Sequence, residues 1–178
     1  MTPSPDSLEI PAGDARALKL MAFDVDGVLT DGRLYYGPEG EQLKVFHTLD
    51  GHGLKKLAAS GVTLALITGR DTPMVARRAA ELGIQHVIQG REDKGAALAD
   101  LAASLGVTAR ETGYAGDDEP DVPALQWAQI AFAPSSGHDC ARAAADHVTR
   151  ARGGAGPVRG SCDARLEHRG AAGNAGAC

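Results

Sequence analysis

Short apolar runs alternating with helix-length stretches constrain this chain more than any other feature. Leu18 to Phe23, Val62 to Ile67, His86 to Ile88, Gly113 to Ala115 and Ile130 to Ala133 read as strands. Between them, Gly53 to Ala59, Pro73 to Leu82, Lys94 to Leu105 and Val122 to Ala128 read as helices. The strand candidates are continuously apolar, as strands covered on both faces must be. Strand and helix in alternation is the pattern of parallel strands joined by helical crossovers.

The expected fold is therefore α/β, a doubly wound, Rossmann-like parallel sheet. One piece breaks the rhythm: Arg33 to Tyr36 and Gln42 to Phe46 flank the turn sequence Gly37-Pro38-Glu39-Gly40, which predicts a β-hairpin directly after the first strand. The length of 178 residues fits one domain. Residues 1–17, rich in Pro, Ser, Asp and Gly, read as a loose leader, and 18–149 as the folded domain. Residues 150–178 read as an irregular Gly/Arg-rich tail with one short helix around Asp163 to His168.

Charge and composition narrow the partners. A net charge of -5 disfavours a nucleic acid or an anionic membrane as the main partner, and no run approaches the length of a membrane span. Cys140, Cys162 and Cys178 form no CxxC pair, and the N-terminus lacks the pattern of a signal peptide, so a reducing cytoplasm is the expected location. Aromatic residues are 4% of the chain against 23 glycines, which favours close backbone approach to a small anion such as phosphate over stacking on a base.

The chemistry-bearing residues all follow strand candidates. Asp24 and Asp26 end the first strand; two adjacent carboxylates repel unless a cation or proton intervenes, which points to Mg²⁺ and to a split of roles. Thr68-Gly69-Arg70 ends the second, where a hydroxyl and free backbone N–H groups make a phosphate cradle. Lys94 opens a helix, and Gly116-Asp117-Asp118 ends another apolar run. Singly, each has an ordinary explanation: an Asp-Gly turn, a strand-to-helix turn, a solvated lysine, a helix cap. Together they occupy one edge of the sheet, the carboxyl edge, where α/β sheets bind ligands.

In this order and spacing the four motifs resemble the haloacid dehalogenase superfamily of phosphatases, in its capless subclass, since no insertion long enough for a cap domain separates them. DVDGVLTDG, the run from Phe46 to Gly53, ITGR, QGREDK and ARGGAGPVR are similar to the family of 3-deoxy-D-manno-octulosonate 8-phosphate phosphatases, over about Leu18 to Arg159. That resemblance implies a Mg²⁺-dependent homotetramer acting on a small sugar-acid phosphate in lipopolysaccharide precursor synthesis. It also implies Asp24 as nucleophile, Asp26 as acid and base, Thr68 and Lys94 holding the phosphoryl group, and Mg²⁺ on Asp24, Asp117 and the carbonyl of Asp26.

The substrate contacts expected are Asp26, Lys94, Gly69, Arg70, Arg78, Lys55, Asp118 and the loop His47-Thr48-Leu49-Asp50-Gly51, in which His47 and Leu49 stand where many relatives carry Asn and Arg. Guanidinium groups suit both the carboxylate and the phosphate of such a substrate. Residues 150–159, with Gly153, Gly154 and Gly156 between Arg152 and Arg159, are expected to close the site of a neighbouring subunit. Two alternatives stand beside this reading. A phosphatase for a nine-carbon sugar-acid 9-phosphate is disfavoured by Arg70, where that group tends to carry Glu. A non-catalytic, metal-binding regulatory subunit is disfavoured by the intact motifs.

Overall fold

The computed structural model of the protein describes residues 10–170. Six parallel strands form the main sheet: β1 (Leu20–Phe23), β4 (Thr63–Ile67), β5 (His86–Ile88), β6 (Thr112–Ala115), β7 (Ile130–Ala133) and β8 (His147–Val148). Their order is β5-β4-β1-β6-β7-β8, so the chain winds one way from β1 through β4 and the other way through β6. That reversal makes the carboxyl end of β1 the switch point of the sheet, the place where such folds open a crevice.

Both faces are covered, as the continuous apolar strands require. In β1, Met21 and Phe23 join one core and Leu20 and Ala22 the other; in β4, Leu64 and Leu66 divide from Ala65 and Ile67 in the same way. On the first face lie α1 (Ala12–Ala17), α2 (Thr48–Ala59), α3 (Pro73–Leu82) and α7 (Pro157–Gly170); on the second lie α4 (Lys94–Ser104), α5 (Val122–Trp127) and α6 (Asp139–Ala144). Helix α3 matches its expected bounds because both ends are written locally. Thr72 accepts the Val75 N–H, Pro73 sets the first turn, and Gly83 closes the helix at φ 73°.

The hairpin is present as β2 (Tyr35–Gly37) and β3 (Gly40–Leu43), shorter than expected because the pairing shifts register beside Tyr35. No other insertion separates the motifs among the described residues. None of the described helices is long and apolar enough to cross a membrane.

Three expectations are corrected. Residues 10–17 are not a loose leader: α1 packs on the core, burying Ile10 and Ala15, while 1–9 lie outside the described residues. The stretch His47 to Gly51 is not a loop, because His47 caps α2 by accepting the Leu49 N–H at 3.1 Å and the helix begins five residues before Gly53. Residues 150–170 are not an irregular tail. Val158, Ser161 and Cys162, spaced three and four apart, bury against α2, and Gly53 makes room, since a Cβ there would stand 3.0 Å from the Arg159 backbone. The short helix expected at Asp163 to His168 is the later part of α7; residues 171–178 lie outside the described residues.

Candidate active site

Asp24 follows β1 directly and is buried, its N–H donating to the Ala115 carbonyl of the neighbouring strand. Lys94 reaches it from the first turn of α4 with Nζ 2.9 Å from Asp24 Oδ1 and 2.8 Å from Asp121 Oδ1. A lysine opposes the positive end of a helix dipole, so its burial at this position signals a chemical rather than a structural demand. Burial alone would lower its pKa, but the Asp24 and Asp121 carboxylates outweigh that and the net shift is upward.

Asp121, which no sequence motif singles out, is the hub of the site. Its Oδ1 also accepts the Tyr114 hydroxyl at 2.7 Å, and its Oδ2 accepts the N–H groups of Asp117 and Asp118 at 3.0 and 3.2 Å. With four donors on two oxygens, Asp121 fixes the loop that presents Asp117. Gly116 is required there, because a Cβ would meet the Asp121 side chain at 2.4 Å.

Asp24, Asp117 and Asp121 bring carboxylate oxygens within 4.8 Å of one another. Burial, then the charge of Asp121, push the Asp117 pKa up to about 6, and burial with Asp121 raises Asp24 as well. Closely placed acids whose charged forms burial and mutual repulsion disfavour are what a divalent cation relieves, and the all-oxygen donor set fits Mg²⁺. Since Asp121 is saturated by its donors, Asp24 and Asp117 are the side chains available to hold the ion. Gly27 belongs to the same cradle: at φ 94° its Cβ position lies 1.9 Å from Asp117 Oδ2.

The sign of the pH effect follows. An acid whose folded pKa lies above its unfolded value binds more protons when folded, so stability falls as pH rises from the unfolded to the folded value. Chelator-treated protein is expected to lose stability between about pH 4 and pH 6, the window set by Asp117. Saturating Mg²⁺ should abolish that decline in thermal melts; a decline of the same size with and without Mg²⁺ would place the ion elsewhere.

Asp26, two residues beyond Asp24, is held by a residue that no motif announced. Lys44, after β3, has a side chain only 1% exposed, with Nζ 2.5 Å from Asp26 Oδ1 and 2.9 Å from Glu41 Oε1. Glu41 Oε2 accepts from Arg70 at 3.0 Å, so the hairpin is tied both to Asp26 and to the Thr68-Gly69-Arg70 turn. Asp26 Oδ2 is buried without a hydrogen-bond partner. Lys44→Ala is expected to lower kcat by about a hundredfold, the lower end of what a positioned acid contributes. Steady-state kinetics that keep kcat within about twofold of wild type would reduce Lys44 to a hairpin anchor.

Thr68 is buried at the end of β4, the strand beside β1, and its Oγ1 accepts the Arg70 N–H at 3.3 Å. Asp118, next to Asp117 in the chain, is exposed. His47, Asp50, Gly51 and Arg78 line one cleft with Phe46 and Leu54, whereas Thr48, Leu49 and Lys55 are exposed on α2. Arg78 lies over the Phe46 ring at 5.7 Å, and a Cβ on Gly51 would meet its guanidinium at 2.5 Å. Asp50 is buried and accepts the Arg159 N–H at 2.8 Å, so it serves the joint of α2 with α7. Gly153 and Gly154 approach their own chain closely. Gly154 donates to the Val28 carbonyl, and a Cβ on Gly153 would stand 1.8 Å from the Gly27 carbonyl, so the segment buttresses the loop after Asp24 in its own subunit.

The sequence model of the haloacid dehalogenase-like hydrolases matches residues 34–129. The chain belongs to that family. This hydrolase is 41% identical over 153 residues to the 3-deoxy-D-manno-octulosonate 8-phosphate phosphatase of Haemophilus influenzae, covering 86% of this chain and 85% of the relative. It is 40% identical over 152 residues to the Escherichia coli K12 enzyme of the same name, covering 85% and 81%. A crystal structure of the Moraxella catarrhalis phosphatase of that name, in complex with a magnesium ion, a phosphate ion and KDO, superposes with a TM-score of 0.86 at 44% identity, over 88% of this chain and 90% of that one.

Proposed function

We propose that this hydrolase is a cytoplasmic, Mg²⁺-dependent phosphatase that converts 3-deoxy-D-manno-octulosonate 8-phosphate to the free sugar acid and phosphate. The observation that carries the reading is the buried cluster of Asp24, Lys94, Asp117 and Asp121 at the switch point, in a chain at least 40% identical to phosphatases of that name over most of its length. Magnesium, held by Asp24, Asp117 and the Asp26 carbonyl, would offset the charge of the phosphoryl group as it moves.

The residues divide the work. Asp24 attacks phosphorus in line, forming an aspartyl-phosphate as the bond to the sugar oxygen breaks. Asp26 gives its proton to that leaving oxygen, then takes one from the water that attacks the aspartyl-phosphate, which frees phosphate and restores Asp24. Lys94 and Thr68 hold the phosphoryl oxygens, and the N–H groups of Gly69 and Arg70 complete the cradle. Arg70, Arg78, His47 and Lys55 face the sugar acid from the rim, with Thr48, Leu49, Gly51 and Asp118 around them. Asp50 acts on this rim through the α2–α7 joint.

Homotetramer formation belongs to the same proposal. It is supported by Leu34, Tyr36, Leu43 and Val45 of the hairpin region, large apolar side chains that are each 45–63% exposed. Residues 150–159 would then reach a neighbour through the exposed Arg150, Arg152 and Ala155, since Gly153 and Gly154 pack on their own loop.

Phosphate release from a panel of eight-carbon and nine-carbon sugar-acid phosphates and an aryl phosphate tests the substrate. The eight-carbon compound should give the highest kcat/KM, and preference for a nine-carbon acid would overturn the assignment. Arg70→Ala should raise KM for the sugar-acid phosphate by about tenfold or more, as expected for one lost charge-assisted contact. The aryl phosphate should be nearly unaffected; equal effects on both would confine Arg70 to its pairing with Glu41.

A further inference from the structure

We propose that Asp118, His138 and Cys140 form a second metal site, for a borderline transition-metal dication such as Zn²⁺, beside the magnesium site. The three side chains come from two segments that follow β6 and β7, and their ligand atoms lie within 4.8 Å of one another. His138 Nδ1 and Cys140 Sγ are already 3.1 Å apart. Tetrahedral Zn²⁺ with ordinary bond lengths sets its N, S and O ligands about 3.4–3.6 Å apart, so small side-chain adjustments close the site.

The scaffold is fixed on both sides. Asp118 Oδ1 accepts the Glu119 N–H at 2.8 Å, and His138 Nδ1 accepts the Cys140 N–H at 3.4 Å, a long bond that a metal at Nδ1 would replace. The two segments are clamped by His138 N–H on the Asp117 carbonyl at 2.7 Å, and Gly137 gives them room, since a Cβ there would lie 3.2 Å from that same carbonyl. The nearby Arg142 is engaged by Asp139 and by the Ser135 carbonyl.

The donor set separates this site from the catalytic one. Mg²⁺ prefers oxygen and rejects a thiolate, whereas imidazole, thiolate and carboxylate together select Zn²⁺ or its neighbours. Binding forms a metal–sulfur bond as the Cys140 thiol releases its proton to water, and solvent fills the fourth position. Asp118 and His138 are exposed and Cys140 is half-buried, so a metal reaches the site from solution. Catalysis as proposed makes no use of His138 or Cys140.

Cobalt titration of the full chain in excess Mg²⁺ tests the proposal, because only a cysteine ligand gives thiolate-to-cobalt charge-transfer absorption. Wild-type protein should develop that band, saturating at one equivalent, and Zn²⁺ should displace it. Cys140→Ser should abolish the band, and His138→Ala should weaken Co²⁺ binding by about tenfold or more, at least the cost of losing an outer-shell partner. Both variants should keep wild-type Mg²⁺-dependent turnover, which certifies their folding. Absence of the band in wild-type protein overturns the proposal without recourse to any variant. So does a band that survives in Cys140→Ser, which would assign the metal to Cys162 or Cys178.

Discussion

Asp24→Asn is expected to abolish turnover, with losses of about four orders of magnitude or more, as when a covalent nucleophile is removed. The amide is no nucleophile, and it withdraws the negative charge that pairs with Lys94 at 2.9 Å. Asn is nearly isosteric, and it removes one of three closely placed acids, so the variant should fold at least as well as wild type in chelator. Stability and activity should therefore move in opposite directions. Phosphate release at even a tenth of the wild-type kcat would remove Asp24 from the covalent step.

Lys94→Ala has the second largest expected effect, and here stability and activity fall together. Among the described residues, Lys94 is the only cation bonded to both Asp24 and Asp121, and Asp121 is wholly buried. Removing one partner of a buried ion pair costs about 3–5 kcal/mol. Denaturant unfolding at neutral pH in chelator should show a loss of that order. Turnover with saturating Mg²⁺ should drop by about a hundredfold to a thousandfold, the effect of deleting one donor to a developing anion. A variant with wild-type stability would mean that Asp121 finds its charge balance elsewhere, and wild-type turnover would free Lys94 of any part in phosphoryl transfer.

Much of this site was readable from residues alone, for a physical reason. Continuous apolar strands show where the sheet lies, parallel winding puts every strand's carboxyl end on one edge, and Asp24, Thr68, Lys94 and Asp117 each follow a strand or open a helix on that edge. Lys44 was not readable, because it meets Asp26 only when the hairpin folds back, and a lysine after a strand looks solvated until its burial is known. Asp121 was hidden by its neighbours: in Asp117-Asp118-Glu119-Pro120-Asp121 every acid looks like a cap, and only its four donors single one out.

The errors in the terminal segments share a different cause. Gly and Ala carry so little periodic signal that α7 vanished into its composition, although Val158, Ser161 and Cys162 kept helical spacing. Gly153 and Gly154 are sites of close approach between two backbones. What approaches them is the chain's own loop after Asp24, since composition says that a backbone comes near but not to what.

The central claim is that Asp24 takes the phosphoryl group from an eight-carbon sugar acid. Rapid mixing with 3-deoxy-D-manno-octulosonate 8-phosphate and Mg²⁺, acid quench, reductive trapping of acyl phosphates and peptide mass spectrometry measure it most directly. Modification at residue 24 alone, appearing within the first turnover and absent without Mg²⁺ or with Asp24→Asn, is the predicted result. Continued phosphate release with no trapped acyl phosphate, or modification at any other carboxylate, would contradict it.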